Sequence, residues 1–253
     1  MADGRGWVLD LDGVVWLADQ AIAGSAGAIE RLRAAGHDVV FVSNNSSVPV
    51  GAVEDKLTAF GIPAKGKVVT SAVVAAELVE PGEVVLLCAG PGVEAALRAR
   101  GVDTVRDGPA DVVMVGFHRE FDYARLTAAA KAIWGGARLL ATNDDATYPT
   151  PDGPIPGTGA ILASIERASG ATPVVAGKPN RPMVEHLRRR LGHGGIMVGD
   201  RPDTDGRFAV ALDYDFGLVL SGVTKAEDLP VEPTPALVAG DLASLVDVAL
   251  ASH

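Results

Sequence analysis

The chain has a single cysteine, Cys88, among 253 residues. That excludes an intramolecular disulfide and any cysteine-rich zinc site. Cys88 closes the apolar run Val84 to Leu87 and reads as a small core residue rather than a nucleophile. Basic residues are also scarce: 22 Lys and Arg stand against 32 Asp and Glu, a net charge of −10. No basic cluster is longer than Arg188-Arg189-Arg190, which closes a predicted helix and complements its dipole. A face for nucleic acid is therefore lacking, although a bound cation can still turn the local field toward a small anion. No apolar run reaches transmembrane length. The opening Met1 to Gly6 carries no signal-peptide pattern, so a cytoplasmic location without membrane association is expected. There is no internal repeat, heptad or low-complexity tract, and Val231 to Pro235 reads only as a connector.

What the chain does have is enough apolar material, 48% of its residues, for one large α/β core or two smaller ones. Short β-rich runs alternate with helical stretches, the pattern of βαβ units and a parallel sheet. Strands are predicted at 7–11, 38–42, 84–88, 111–115, 137–141, 173–176, 195–198 and 216–220. Helices are predicted at 25–35, 50–60, 71–79, 92–100, 122–134, 159–168, 181–190 and 241–250. Gly36, Gly61, Gly101 and Gly170 stand where helices end, and Pro182 stands near a helix start. Gly90-Pro91-Gly92 lacks the rest of a dinucleotide fingerprint and reads as a turn into a helix.

The stretch Trp7 to Trp16, WVLDLDGVVW, sets two carboxylates at the end of an apolar strand. Ionised groups in such a setting are costly unless paired or metal-bound. Residues i and i+2 of a strand share a side, so Asp10 and Asp12 face one spot. Gly13 then allows a sharp turn or a close approach to a ligand. Alone, the pair is a surface Asp-Gly turn as readily as a metal site with a carboxylate nucleophile. Three more polar clusters bear on the choice: Ser43 to Ser47, Ala176 to Asn180, and Gly199 to Gly206. Each lies at a strand exit or a helix entry, where doubly wound sheets bind ligands. Each also has a plain structural reading as a polar loop, a turn or, for Asp203 and Asp205, a helix cap. The middle of the chain contributes none of them. The predicted architecture is therefore a doubly wound parallel-sheet core, 1–76 and 174–253, with an inserted domain at 77–173.

Together the clusters hold the parts of a phosphoryl-transfer site. Asp10 can act as a nucleophile that forms an aspartyl-phosphate. Asp12 can protonate the leaving group and then activate water. Asp200 offers a further oxygen to a hard cation, with Asp205 fixing the metal's waters from one layer further out; Mg²⁺ suits such a set. The Ser43 hydroxyl and the Asn44 amide can hold phosphate oxygens. Lys178 adds positive charge for the phosphoryl group and holds Asp10 ionised.

Asp10-Leu11-Asp12-Gly13-Val14, Ser43-Asn44-Asn45, Gly177-Lys178-Pro179 and Gly199-Asp200 through Thr204-Asp205 resemble the four motifs of the haloacid dehalogenase superfamily. The stretches FVSNNSS, VVTSA, VGFHREFDYARL, ATNDDATYPTPDGPIPGTGAILASIE and LVLSGVT are similar to its NagD-like, 4-nitrophenylphosphatase-type branch with a class IIA α/β cap. The resemblance spans nearly the whole chain. It implies a Rossmann-like core, an Mg²⁺-dependent phosphatase and the roles just given, with the Asp12 backbone carbonyl rather than its side chain touching the metal. Two departures stand out: Gly206 replaces an apolar residue, and Ala211 to Gly217, ALDYDFG, replaces the usual Ala-Gly turn.

Core groups can grip only the phosphoryl moiety, so discrimination is expected from the cap. The loop Asn143 to Pro156 is long and polar enough to be functional. Within it Asn143 and Asp145 can bond hydroxyls, and Tyr148 offers an apolar face with a polar tip. His118 and Arg119, beyond strand 111–115, are further candidates. The expected partner is a small phosphorylated metabolite such as a sugar phosphate, glycerol phosphate or phosphoglycolate. A homodimer is left open. Competing functions are a dehalogenase, which would not need Asp12 or a metal, a phosphotransferase or phosphomutase, and a catalytically weak phosphometabolite-binding protein.

Overall fold

A computed structural model describes residues 6–148, 150 and 153–251. The loop residues Pro149, Pro151 and Asp152, and His253, lie outside the described residues. The chain forms two compact units. The first comprises residues 6–43, 53–69 and 178–251, and the second 44–52 and 70–177. The sequence pattern places the joints at 76/77 and 173/174 and keeps 44–52 with the core.

The first unit is built on a six-stranded sheet in the order Leu237–Ala239, Asp215–Val219, Gly195–Gly199, Gly6–Asp10, Asp38–Ser43, Val68–Thr70. Gly6–Asp10 lies in its interior and pairs in parallel with both neighbours. Its five residues are all buried, which explains why Trp7, Val8 and Leu9 form an unbroken apolar run instead of an alternating one. From this strand the chain builds outward first to one side and then to the other. The right-handed crossover rule therefore puts helices on both faces. The reversal of strand order falls beside the carboxyl end of Gly6–Asp10. Ser25–Ala34 packs on Leu242–Ala251, and Arg181–Leu191 packs on Arg207–Leu212.

The second unit has a five-stranded parallel sheet in the order Val174–Val175, Arg138–Ala141, Val112–Val115, Val85–Cys88, Thr104–Val105. Helices Tyr123–Trp134 and Thr158–Ser169 pack together, and Leu86, Val113, Leu139, Leu162 and Ile165 form their common core. Burying each such aliphatic side chain is worth about 1.5–3 kcal/mol. Cys88 belongs to this core, and burial pushes its thiol up to about 12. Gly90 precedes helix Pro91–Ala99, which starts on its proline.

All eight predicted strands and all eight predicted helices are present, with ends moved by a few residues. Sequence patterning misses elements too short to show a period. Among them are the hairpins Trp16–Leu17/Gln20–Ala21 and Thr147–Tyr148/Ile155–Pro156, the strands Val68–Thr70, Thr104–Val105 and Leu237–Ala239, and helix Arg207–Leu212. Among the described residues no helix is long and apolar enough to cross a membrane.

Candidate active site

The parallel register of the first unit aligns three strand ends. Asp10 pairs with Val42, so Ser43 lies one residue beyond it. Leu9 pairs with Val198, which puts Gly199 level with Asp10 and Asp200 one residue further on. Carboxylate oxygens of Asp10, Asp200 and Asp205 come within 4.8 Å of one another. Lys178, only 2% exposed, joins two of them: its Nζ lies 2.9 Å from Asp10 Oδ1 and 2.7 Å from Asp205 Oδ1.

Burial alone would lower the Lys178 ammonium, but Asp10 and Asp205 outweigh it and raise its pKa. Burial raises Asp10, against the pull of Lys178. Asp205 is pushed up to about 6 by burial, again opposed by Lys178. Asp200 is pushed up to about 7 by burial, with Asp205 and Asp10 adding to the shift. Three carboxylates around one ammonium thus carry an excess of negative charge in a desolvated place. An all-oxygen donor set under that strain fits a hard divalent cation, which would relieve it.

The surroundings fix each oxygen. Asp200 Oδ2 accepts from the Val223 amide at 2.6 Å, and its carbonyl accepts from Thr224 Oγ1 at 2.6 Å. Gly13 has φ +79°, and a Cβ there would stand 2.5 Å from Asp200 Oδ2 and 2.9 Å from Gly222 Cα. Glycine at 13 is thus required both by the turn and by the approach of Asp200. Asp205 Oδ2 accepts from the Arg201 amide at 3.2 Å. Asp12 is not part of the three-carboxylate cluster. Its Oδ1 accepts from Trp16 Nε1 at 2.9 Å, and burial raises its pKa.

The chain passes into the second unit after Ser43, and there Asn44 and the predicted specificity residues divide into two groups. Asn143, 3% exposed, donates through Nδ2 to the Asn44 carbonyl at 2.7 Å and accepts the Asp145 amide at 3.2 Å. Asn44 Nδ2 in turn donates to Asp145 Oδ2 at 3.2 Å. Asn143 and Asp145 therefore brace the loop that follows Ser43. Tyr148, His118 and Arg119 instead line one cavity of about 400 Å³ with Phe117, Arg106 and Glu94. Tyr148 stacks on Phe117 at 4.3 Å and 8°, and its hydroxyl accepts from Asn45 Nδ2 at 3.1 Å. Burial, then the charges of Arg125 and Arg106, lowers the His118 pKa.

Two family models match the chain, one for haloacid dehalogenase-like hydrolases over residues 7–103 and one for related hydrolases of the same type over 175–245. An acid sugar phosphatase of Staphylococcus saprophyticus is 32% identical over 242 residues, 93% of each chain. The chain belongs to the haloacid dehalogenase-like hydrolases. A p-nitrophenyl phosphatase from Archaeoglobus fulgidus superposes on this hydrolase with TM-score 0.90 at 29% identity, covering 97% of this chain and 99% of that one. A glycerol phosphate phosphatase from Mycobacterium tuberculosis, solved in complex with calcium, superposes with TM-score 0.87 at 34% identity, covering 95% and 74%. The same protein has been solved with magnesium. The hydrolase is thus a phosphoric monoester hydrolase of the NagD-like branch, with a Rossmann-like α/β core.

Sequence reading missed several residues beside the site. Trp16 and Lys56 meet at a turn with no periodic signature, and nothing in the sequence marks Gly222, where a Cβ would run into the Asp200 carboxylate. Asn45 and Phe117 lie within the family-like stretches, but nothing in the sequence marks their contacts with Tyr148. The two departures from the family pattern prove to be neighbours. A Cβ on Gly206 would meet Phe216 Cε1 at 3.0 Å and Pro233 Cδ at 2.9 Å. The ring brought by the ALDYDFG segment fills the room that a larger residue at 206 would need.

Proposed function

We propose that this hydrolase cleaves a small phosphorylated metabolite through an aspartyl-phosphate on Asp10, with Mg²⁺ as its cation. The observation that carries the reading is the buried Lys178 ammonium shared by Asp10 and Asp205 beside Asp200. Lys178 holds Asp10 Oδ1, which fixes the nucleophile's orientation and opposes the upward push of burial on its carboxyl. The Asp10 carboxylate attacks phosphorus while the bond to the leaving oxygen breaks. Asp12 gives that oxygen its proton, then takes one from the water that attacks phosphorus and frees Asp10. Ser43, the backbone amide of Asn44 and Lys178 bind the phosphoryl oxygens. Asp10, Asp200 and the Asp12 carbonyl would hold the Mg²⁺, with Asp205 behind them. When bound, the cation neutralises charge on the phosphoryl oxygens and on the crowded carboxylates.

Recognition of the leaving group is assigned to Tyr148, His118 and Arg119, with Asn143 and Asp145 bracing the loop that follows Ser43. Sugar phosphates, glycerol phosphate and phosphoglycolate are the substrate classes to test first. Purified protein with Mg²⁺ should release phosphate from members of this set, and Asp10→Asn should lose at least about 10³-fold in kcat without loss of fold. Wild-type turnover by Asp10→Asn would overturn the nucleophile assignment.

A further inference from the structure

The hairpin Trp16–Leu17/Gln20–Ala21 contains a residue that serves no packing purpose with one of its atoms. Trp16 is buried, yet its indole nitrogen is spent on a carboxylate, donating to Asp12 Oδ1 at 2.9 Å. The rest of the side chain is tied down. The ring packs on Phe60 with centroids 6.1 Å apart, and Lys56 Nζ sits 4.5 Å over its face. Lys56 also donates to the Ala18 carbonyl at 2.6 Å and pairs with Asp19 at 3.3 Å, which pins the hairpin's own turn. The Trp16 carbonyl accepts from the Gly13 amide at 2.8 Å, closing the loop that carries Asp12. The indole is therefore a fixed donor aimed at one oxygen of Asp12.

An indole N–H can only donate. The carbonyl oxygen of a carboxylic acid is a better acceptor than its hydroxyl oxygen, so the indole bond to Oδ1 favours the proton of Asp12 on Oδ2. We infer that Trp16 is a positioning residue for the acid/base step, holding Asp12 so that Oδ2 faces the reaction. This rests on the acid/base role proposed for Asp12. As the bond from phosphorus to the leaving oxygen breaks, its electron pair stays on that oxygen, which takes the Oδ2 proton and leaves Asp12 ionised. In that ionised form the Trp16 hydrogen bond becomes charge-assisted, so its strength grows along the step.

The test compares two esters of nearly equal size whose leaving groups differ in basicity. Phenyl phosphate needs the proton; 4-nitrophenyl phosphate needs it far less. Trp16→Phe keeps an aromatic ring and removes the N–H. A benzothienylalanine at position 16 keeps the bicyclic outline and removes the N–H alone, so the question stays answerable if Trp16→Phe does not fold. In either variant kcat/KM for phenyl phosphate should fall about tenfold more than for 4-nitrophenyl phosphate. In an Asp12→Asn background the same replacement should add less than about twofold, because the two residues act as one unit. Equal losses on both esters would overturn the positioning role and leave Trp16 as packing. If Asp12→Asn itself fails to separate the two esters, the acid/base reading falls instead, which the single variant identifies without reference to Trp16.

Discussion

Removing the Lys178 charge while keeping its bulk, as Lys178→Met does, should destabilise the protein in a pH-dependent way. The ammonium is fully enclosed and sits within 2.9 Å of Asp10 and 2.7 Å of Asp205. Its loss leaves those two carboxylates, with Asp200 beside them, buried without a counter-charge. Breaking a buried ion pair from one side costs about 3–5 kcal/mol. For a unit of this size that is a fall in Tm of roughly 6–20 °C. The carboxyls can escape part of the cost by taking up protons. Asp10 and Asp205 already lie above their ordinary value of 3.8, and losing Lys178 raises them further. A folded state that holds such protons more tightly than the unfolded chain loses stability as pH rises from about 4 through the raised folded-state values. Lys178 itself stays charged throughout, since its pKa is raised above 10.5. Thermal unfolding followed by circular dichroism in EDTA should therefore show a small Tm gap between wild type and variant at pH 5 and a large one at pH 8. Added Mg²⁺ should narrow the gap at pH 8. A gap that is constant across this range, or absent, would show that the carboxylate cluster does not depend on Lys178.

Two further outcomes follow from the same geometry. With Asp200 at about 7 in the metal-free protein, protons compete with the cation, so Mg²⁺ affinity measured by calorimetry should climb from pH 5.5 to about 8 and then level off; Asp200→Asn should weaken binding and flatten that slope. If the cavity around Tyr148 discriminates leaving groups, Tyr148→Ala and His118→Ala should change kcat/KM by about tenfold on some metabolites and little on 4-nitrophenyl phosphate, whereas Asn143→Ala should lower Tm and reduce activity on all substrates alike; a uniform loss for Tyr148→Ala would assign it to structure.

The contrast between Asn143 and Tyr148 shows where sequence reading stops. Both stood in one polar loop, and both carry groups able to bond a sugar hydroxyl. Composition reveals a donor but not its direction, and Asn143 spends its donor on the Asn44 carbonyl. The core was legible for the opposite reason. In a parallel sheet buried on both faces, strands such as Gly6–Asp10 must be continuously apolar, so the first carboxylate marks the strand's exit. Parallel exits lie on one edge, so the topology alone brings Asp10, Ser43 and Asp200 to the same end of the sheet. Elements of two or three residues, such as Trp16–Leu17, are too short to leave a pattern, and the Trp16 to Asp12 bond joins residues across a turn that no periodicity describes.

Gly206 and Phe216 show a different kind of illegibility, in which two departures from the family pattern make sense only together. The Gly206 backbone is ordinary, with φ −63° and ψ −48°, so nothing in its conformation requires glycine. An alanine there would gain about 0.5–1 kcal/mol from reduced freedom of the unfolded chain. Space opposes it: the new Cβ would stand 3.0 Å from Phe216 Cε1 and 2.9 Å from Pro233 Cδ. Overpacking of this kind costs about 1–3 kcal/mol, so Gly206→Ala should be net destabilising by about 1 kcal/mol in chemical denaturation. The same change made on Phe216→Leu should cost clearly less, giving a coupling of at least about 0.5 kcal/mol between the two sites. Strictly additive costs would mean that the ring does not occupy the space in question. Because Gly206 follows Asp205 directly, any relaxation forced by the methyl moves the carboxylate that holds Lys178. Mg²⁺ affinity should therefore fall in Gly206→Ala and recover in the double variant.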